Sequence, residues 1–208
     1  MNLSAVILAG GQSRRMGVNK AFLPVEGRPL LLRQVEVLRH SGISEILVSG
    51  RCPDGFFASG IRWVPDHFEG AGPMSGIHAA LESASHRCLL VLAVDMACIS
   101  SAFIGHISEM AQDNKGVVPR LRDGGGGIEP LAAIYPKFAR VLAASRLQAG
   151  QRSARHFASA CVEAGMARFL DVPDSWAGLL RSFNTPAEWL EYASKGLAPK
   201  HFKAAICV

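Results

Sequence analysis

The sequence predicts an α/β domain built on a mostly parallel β-sheet, and two observations lead to this fold class. First, short apolar runs typical of buried strands alternate along the chain with segments whose apolar residues recur at helical spacing. Second, a chain of 208 residues with 49% hydrophobic and 19% charged residues can bury one full core and is not disordered. We expect residues 1–195 to form this domain and residues 196–208 to form a C-terminal tail without periodic pattern.

The first elements follow the strand-helix alternation. Ser4–Leu8 is an apolar run that leads into a glycine turn, as expected of a buried strand. Pro29–Arg39 has apolar residues at helical spacing, and proline suits the first turn of a helix. Glu45–Val48 and Ile61–Val64 predict two short strands, and Pro73–Ala84 predicts a helix.

The middle of the chain continues the alternation and then departs from it. Arg87–Val94 is the strongest strand candidate, and Ser100–Ala111 is a predicted helix with a serine cap at its start. Gly116–Pro119 and Glu129–Tyr135 predict two strands that flank a loop, an arrangement typical of an antiparallel excursion.

The last elements are two helices, a strand and a final helix. The predicted helices are Lys137–Leu147 and Ser153–Ala164, the strand is Ala167–Val172, and the final helix is Pro186–Ala193 with Thr185 as its cap. In parallel sheets of this kind, ligands bind outside the carboxyl ends of the strands. We therefore expect the loops that follow the first four strands to converge, namely those after Leu8, Val48, Val64 and Val94.

Charge and cysteine usage exclude several classes of protein. The net charge of +5 is scattered, so the chain lacks the basic stripe of a nucleic-acid-binding protein, although a local basic loop suits a phosphate-rich small ligand. The five cysteines form no metal-ligand or disulfide pattern, which favours free thiols in the cytoplasm. Apolar runs are too short to cross a membrane, and we expect no signal peptide.

The glycine-rich loop after the first strand is the clearest candidate for a binding site. Gly10 and Gly11 let backbone N–H groups approach an anion without a Cβ in the way. Cationic side chains follow them at Arg14, Arg15 and Lys20. The spacing fits neither a P-loop nor a dinucleotide-binding fingerprint. A phosphate cradle and an ordinary turn with surface arginines are the two interpretations.

A carboxylate, Asp95, follows the strongest strand. One or two carboxylates, together with phosphates and water, are the usual protein environment of Mg²⁺. Asp95 is therefore a candidate metal ligand at the predicted ligand-binding edge. The alternative is a helix-capping aspartate, although Ser100 and Ser101 already offer that cap.

The loop also carries a resemblance to a known family. Leu8–Lys20 fits Leu-Ala-Gly-Gly-x-Ser-x-Arg-Met-Gly-x-x-Lys and resembles the signature of nucleotidyltransferases that activate a phosphorylated acceptor with an NTP. Ala21–Leu30 resembles the continuation of that signature. Asp66 followed by Gly70–Ile77 resembles the molybdenum cofactor guanylyltransferase (MobA) family more closely than sugar-phosphate or cytidylyl relatives. The resemblance implies a single three-layer, Rossmann-like nucleotidyltransferase domain with a mostly parallel mixed sheet.

The resemblance implies roles for particular residues. Catalytic roles fall on Lys20, Arg15 and Asp95, with Asp95 as the ligand of an Mg²⁺ cofactor. Nucleotide-binding roles fall on Leu8, Ala9, Gly10, Gly11, Lys20, Asp66 and Asp95. A carboxylate at Asp66 suits guanine, because it accepts hydrogen bonds from both N1–H and the N2 amino group. The alternative is that Asp66 caps a turn.

The acceptor side carries weaker resemblances. Glu129–Pro136 resembles the family's acceptor-side strand, and Arg181–Leu190 resembles its late asparagine element, of which only Asn184 carries over. The resemblance implies acceptor-binding roles for Gly76 and Asn184, while Asn184 alternatively begins the final helix. The chain departs from the family pattern at Asn19 and at the Gly124–Gly127 run.

The implied activity is transfer of GMP from GTP to the phosphate of molybdopterin, giving a guanine dinucleotide cofactor and pyrophosphate. Alternatives are cytidylyl or other NMP transfer to the pterin or to a sugar or polyol phosphate, and a non-catalytic nucleotide-binding module. The implied partners are GTP, molybdopterin and other proteins of cofactor biosynthesis or molybdoenzyme maturation, with neither nucleic acid nor membrane. The expected location is the cytoplasm.

Overall fold

A seven-stranded sheet forms the centre of the protein in the computed structural model, which describes residues 3–10, 20–25, 28–54, 56, 58, 60–111, 114–122, 127–183 and 188. The strands are β1 Leu3–Leu8, β2 Pro24–Val25, β3 Arg28–Pro29, β4 Glu45–Ser49, β5 Ile61–Val64, β6 Cys88–Ala93, β7 Gly116–Leu121, β8 Ala132–Pro136 and β9 Ala167–Val172. The α-helices are α1 Leu30–His40, α2 Pro73–Ser83, α3 Ser101–Met110, α4 Arg140–Gln148, α5 Ala154–Glu163 and α6 Asp174–Ala177. β2 and β3 form a separate small hairpin.

The sheet is mixed and mostly parallel, as the sequence predicts. Its strand order is β5-β4-β1-β6-β8-β7-β9, in which β8 is antiparallel to both of its neighbours and the other strands run parallel to one another. The predicted antiparallel excursion is thus confirmed. β8 begins at Ala132 rather than at Glu129, because Glu129 uses its carboxylate to accept a hydrogen bond from the Leu131 N–H in a turn before the strand.

Helices cover both faces of the sheet. Along β1, Ala5 and Ile7 pack in the same cluster as apolar residues of α1 and α3, whereas Val6 and Leu8 pack with residues of α2, α4 and α5. Every residue of β1 is buried, as expected of a strand between two helical layers. The predicted three-layer architecture is therefore confirmed. None of the helices among the described residues has the length and apolarity needed to span a bilayer.

The predicted helix starts are largely confirmed. The Ser100 and Ser153 side chains accept hydrogen bonds from the backbone N–H groups three residues on, each at 3.2 Å, and so cap α3 and α5. α4 begins at Arg140, after a single 3₁₀ turn over Lys137–Ala139. The predicted final helix at Pro186–Ala193 and the predicted tail fall largely outside the described residues, so the domain boundary stays a prediction.

A polar cluster fixes the start of β4, at the sheet edge opposite the loops expected to bind ligand. The Glu45 carboxylate accepts hydrogen bonds from Arg62 Nη2 at 3.0 Å, from the Ser85 N–H at 2.9 Å and Oγ at 2.8 Å, and from Ser4 Oγ. Burial alone raises the pKa of this carboxyl, but the hydrogen bonds outweigh burial and lower the pKa from 4.5 to about 2. The ionised form of Glu45 is therefore the one that stabilises the fold.

We expect Glu45→Gln to lower the free energy of unfolding by about 1 kcal/mol at pH 7, a modest figure because solvent screens part of the cluster. A lowered pKa stabilises the fold above the carboxyl's usual pKa of 4.5, and that contribution disappears as the pH falls toward about 2. Urea unfolding of both proteins at several pH values between 7 and 2 measures the difference. A gap between the two proteins that stays constant across this range would contradict the assigned role.

Candidate active site

The loops that follow the four parallel strands β1, β4, β5 and β6 lie at one edge of the sheet. The Val94 N–H donates to the Leu8 carbonyl at 3.3 Å, which ties the loop after β6 to the end of β1. The Gly50 N–H donates to the Val64 carbonyl at 3.1 Å, which ties the loop after β4 to the end of β5. The predicted convergence of the four loops is confirmed.

Gly10 lies where two of these loops meet. A Cβ at this position would lie 3.2 Å from Asp66 Oδ2 and 3.8 Å from both the carbonyl oxygen and Oγ of Ser49. Gly50, whose φ of +114° favours glycine, also packs closely on Gly10, since a Cβ there would lie 3.4 Å from Gly10 Cα. Glycine therefore keeps the end of β1 open beside an aspartate carboxylate.

Asp66 follows β5 and presents its carboxyl group to this opening. The residue as a whole is exposed, yet the protein surrounds its carboxyl group enough for desolvation to raise the pKa, a change that His67 partly counters. A carboxyl group that lies close to the backbone at Gly10 can accept hydrogen bonds from a ligand seated there. Asp66 and Gly10, 56 residues apart in sequence, are brought together as predicted.

Lys20 and Asp95 form an ion pair at the same edge. Lys20 Nζ lies 3.0 Å from Asp95 Oδ2, and both side chains are about one-fifth exposed. Lys20 opens a 3₁₀ turn anchored by the buried Ala21, and Asp95 stands in the turn directly after β6. A mostly buried cation and carboxylate at the carboxyl ends of the parallel strands can bind phosphate and a metal ion, respectively.

Helix α1 supports the loop that carries Asp95. The fully buried Gln34 donates from Nε2 to the Val94 carbonyl at 3.3 Å and to the Met96 carbonyl at 2.8 Å, and Arg33 donates to the Ala97 carbonyl. The Phe183 N–H donates to the Asp95 carbonyl at 3.2 Å. Asp95 is thus held by backbone contacts from both sides. The sequence gives no sign of Gln34, because its role depends on where α1 docks.

Glu129 is a second carboxylate near Asp95, and no role was predicted for it from the sequence. Its Oε1 accepts from the Leu131 N–H at 3.0 Å, and the Leu131 carbonyl accepts from the Ala93 N–H at 2.8 Å, two residues before Asp95. Burial raises the pKa of Glu129, and the charge of Asp95 raises it further, while Arg155 lowers it. Glu129 therefore places a second, partly buried carboxyl group close enough to Asp95 for their charges to interact.

Two exposed arginines, Arg152 and Arg155, lie at the start of α5. Arg152 donates from Nη1 to the Gly70 carbonyl at 3.1 Å, next to the glycine-rich segment that precedes α2. Arg155, on the first turn of α5, lies beside Gly127, where a Cβ would meet its guanidinium at 3.9 Å. Neither arginine was predicted from the sequence as a site residue. The sequence signal for them is the positive charge on both sides of Ser153, the residue that caps α5.

Three of the remaining predicted site residues lie in the described part of the chain, namely Leu8, Ala9 and Gly76. Leu8 and Ala9 are buried at the end of β1. Gly76 lies inside α2 against the sheet, so its contact with an acceptor stays a prediction. Three predicted residues lie outside the described part of the chain, namely Gly11, Arg15 and Asn184, as does Arg14.

Comparison with known proteins agrees with this geometry. Residues 5–164 match the family described as the MobA-like NTP transferase domain. A "probable molybdenum cofactor guanylyltransferase" of Opitutus terrae is 39% identical over 189 residues, which cover 89% of this chain and 92% of that protein.

Solved structures share the fold at lower identity. The molybdopterin-guanine dinucleotide biosynthesis protein A of Archaeoglobus fulgidus superposes with a TM-score of 0.69 at 22% identity, covering 94% of this chain and 98% of that one. The 2-C-methyl-D-erythritol 4-phosphate cytidylyltransferase of Thermus thermophilus also gives a TM-score of 0.69, at 21% identity, covering 95% and 100%. At these identities the likeness concerns the fold alone.

Proposed function

The chain belongs to the family of MobA-like NTP transferase domains, and on this basis we propose that it transfers GMP from GTP to the phosphate of molybdopterin. The products are a guanine dinucleotide form of the cofactor and pyrophosphate. The observation that carries the proposal is that the Lys20–Asp95 pair lies at the same edge of the sheet as Gly10 and the carboxylate of Asp66. The name of the Opitutus relative supports the choice of GMP and of the pterin acceptor.

The proposed reaction is a direct displacement at the α-phosphorus of GTP. An oxygen of the acceptor phosphate forms a bond to the α-phosphorus, and the bond from that phosphorus to the oxygen bridging the β-phosphate breaks. Pyrophosphate leaves with the electron pair of the broken bond. The acceptor phosphate is already ionised at neutral pH, so no protein base is required. Catalysis then consists of positioning two anions and neutralising their charge.

The cationic groups at the sheet edge suit the triphosphate. In the proposed complex, the Lys20 ammonium turns from Asp95 toward the phosphates and stabilises the departing pyrophosphate. The backbone at Gly10 approaches the phosphates where no Cβ intervenes. Arg15 and Gly11, which lie outside the described residues, are proposed to complete this cradle.

The donor set at Asp95 fits a hard divalent cation. Asp95 offers a partly exposed carboxylate at the end of β6, and the nearby Glu129 offers a second carboxyl group whose pKa responds to the charge of Asp95. Mg²⁺ is typically held by one or two carboxylates, with water and substrate phosphates as its other ligands. We propose that Asp95 holds Mg²⁺, which would polarise the phosphate oxygens and offset their charge.

Asp66 is proposed to recognise guanine. Its carboxylate adjoins the end of β1, where Leu8, Ala9 and Gly10 offer backbone for the base to lie against. The two oxygens can accept from N1–H and from the N2 amino group of guanine. Adenine presents an acceptor at its N1 and cytosine at its N3, so a carboxylate repels both at those atoms.

The acceptor is proposed to approach from the side of Arg152 and Arg155. Two exposed guanidinium groups suit an anionic phosphate, and they lie near Gly70 and Gly127. Gly76 and Asn184 remain proposed acceptor-side residues. We propose the cytoplasm as the place of the reaction, because the five scattered cysteines of the sequence form no disulfide pattern. Proteins that supply the pterin or receive the product are the proposed protein partners.

The test of the proposal measures pyrophosphate release with Mg²⁺, molybdopterin and each NTP in turn. The wild-type chain should be most active with GTP. We expect Asp66→Asn to lower kcat/KM for GTP about 10- to 100-fold, because the amide replaces one acceptor with a donor that opposes the N2 amino group. Activity with CTP should not fall.

A matched acid-to-amide change at a second aspartate shows whether the effect of Asp66→Asn comes from lost guanine recognition or merely from the lost negative charge. Asp54 is an exposed aspartate in the segment before β5, and Asp54→Asn should keep the wild-type preference for GTP. Preference of the wild-type chain for CTP would instead support cytidylyl transfer. Binding of GTP without pyrophosphate release in any combination would leave a nucleotide-binding module as the function.

A further inference from the structure

Three metal-ligating side chains converge outside the proposed nucleotide pocket. His67 lies in the loop after β5, and His78 and Glu82 lie one turn apart on the same face of α2. Glu82 Oε2 is 3.2 Å from His67 Nδ1 and 3.6 Å from His78 Nδ1. Within the part of the chain that the structure describes, this is the one group of at least three such side chains with ligand atoms within 4.8 Å of one another.

His78 supplies an independent sign of a missing ligand. Its side chain is only 7% exposed, and its Nδ1 is buried without a hydrogen-bond partner, because Glu82 Oε2 at 3.6 Å lies beyond hydrogen-bond range. Phe68 packs edge-on against the ring at a centroid distance of 5.4 Å and fixes its orientation. A buried imidazole nitrogen normally has a polar partner. A ligand bound between His78 Nδ1 and the Glu82 carboxylate would supply that partner.

The spacing of the donor atoms fits a tetrahedral metal ion. Zinc bonds to histidine nitrogen and carboxylate oxygen are about 2.0–2.1 Å long, which places neighbouring donors about 3.4 Å apart around a tetrahedron. The two measured separations, 3.2 Å and 3.6 Å, lie on either side of that value. Two imidazoles and one carboxylate favour zinc over magnesium or calcium, which prefer oxygen ligands alone.

We propose that His67, His78 and Glu82 bind a Zn²⁺ ion, with water at the fourth position. The ion would connect the loop after β5 to α2. Because Asp66 directly precedes His67, zinc would also hold the proposed guanine-reading carboxylate in place. The site goes beyond the transfer reaction, and zinc binding can be measured whether or not the chain transfers GMP.

The experiment uses the full-length chain without a histidine tag, stripped of metal and free of nucleotide. Equilibrium dialysis with Zn²⁺ should give one ion per chain at this site, and zinc should raise the Tm. Co²⁺ as a probe should give the intense visible absorption of a tetrahedral complex. His67→Ala and Glu82→Gln should each weaken zinc binding at least about 10-fold and abolish the cobalt absorption.

Two controls locate the ion. His156→Ala removes an exposed histidine on α5, and Asp95→Asn removes the carboxylate of the proposed magnesium site. Both variants should bind zinc as tightly as the wild-type chain. The proposal is wrong if the wild-type chain binds no zinc in dialysis, if His67→Ala or Glu82→Gln keeps the wild-type affinity, or if Asp95→Asn or His156→Ala loses it. His67 and Glu82 are exposed enough that these substitutions should leave the fold intact.

Discussion

Replacing Asp95 with alanine is expected to lower the rate of pyrophosphate release about 1000-fold at saturating GTP and Mg²⁺. The change removes the carboxylate proposed to hold the metal ion and leaves Lys20, its partner at 3.0 Å, without that contact. Asp95→Asn should lose nearly as much, because the amide keeps the size of the side chain and lacks its charge. Single-turnover measurement of pyrophosphate release with molybdopterin gives the rate of the chemical step.

The loss must arise from chemistry rather than unfolding. An ion pair whose side chains are both about one-fifth exposed contributes about 1 kcal/mol or less, so the variant should remain folded in urea titrations. Glu163→Gln, an acid-to-amide change at the exposed end of α5, should keep the wild-type rate. Transfer at the wild-type rate by Asp95→Ala would show that the proposed metal ligand is misassigned.

A double variant tests whether Lys20 and Asp95 act together. If the lysine neutralises phosphate charge while the aspartate holds the cation beside it, each single change disables the same step. Lys20→Ala combined with Asp95→Ala should then be little slower than the slower single variant. Losses that simply multiply would indicate two independent contributions.

Elements with strong apolar patterns could be predicted from the sequence. β1 and β6 are continuous apolar runs, buried on both faces, and their bounds agree with the prediction to within a residue or two. The small hairpin of β2 and β3 and the four-residue α6 were not predicted, because they are too short to show a period. Their formation depends on contacts that only the folded chain supplies.

The candidate site, like the fold, could be predicted from the sequence only in part. The loop after β1 and Asp95 could be found because each follows a strand at the predicted carboxyl edge, whereas Asp66 was singled out by its resemblance to the family's motif. The sequence could not show that Lys20 pairs directly with Asp95, 75 residues away. Glu129 was missed because its proximity to Asp95 depends on β8 pairing antiparallel with β6, and such a register is not encoded in either strand alone.

Gly76→Ala is expected to lower the free energy of unfolding by about 1–3 kcal/mol through overpacking. A Cβ at this position would lie 2.5 Å from Ser49 Oγ, 2.8 Å from Ser49 Cβ and 2.9 Å from Leu8 Cδ2, all closer than real Cβ contacts allow. Ser49 Cβ is fixed to the backbone of β4 and cannot rotate away, so α2 must shift from the sheet. Urea unfolding at pH 7 measures the loss.

Gly105→Ala is the matched control, since Gly105 lies in α3 and a Cβ there would meet nothing within 4 Å. That change should stabilise the protein by about 0.5–1 kcal/mol, because alanine favours a helix more than glycine does. Ser49 lies between Gly76 and Gly10, so displacing it should also raise the KM for GTP. An unchanged stability of Gly76→Ala, with a raised KM for molybdopterin alone, would instead assign Gly76 to the acceptor. Loss of stability together with weaker GTP binding would show that close packing of α2 on the sheet shapes the nucleotide loop.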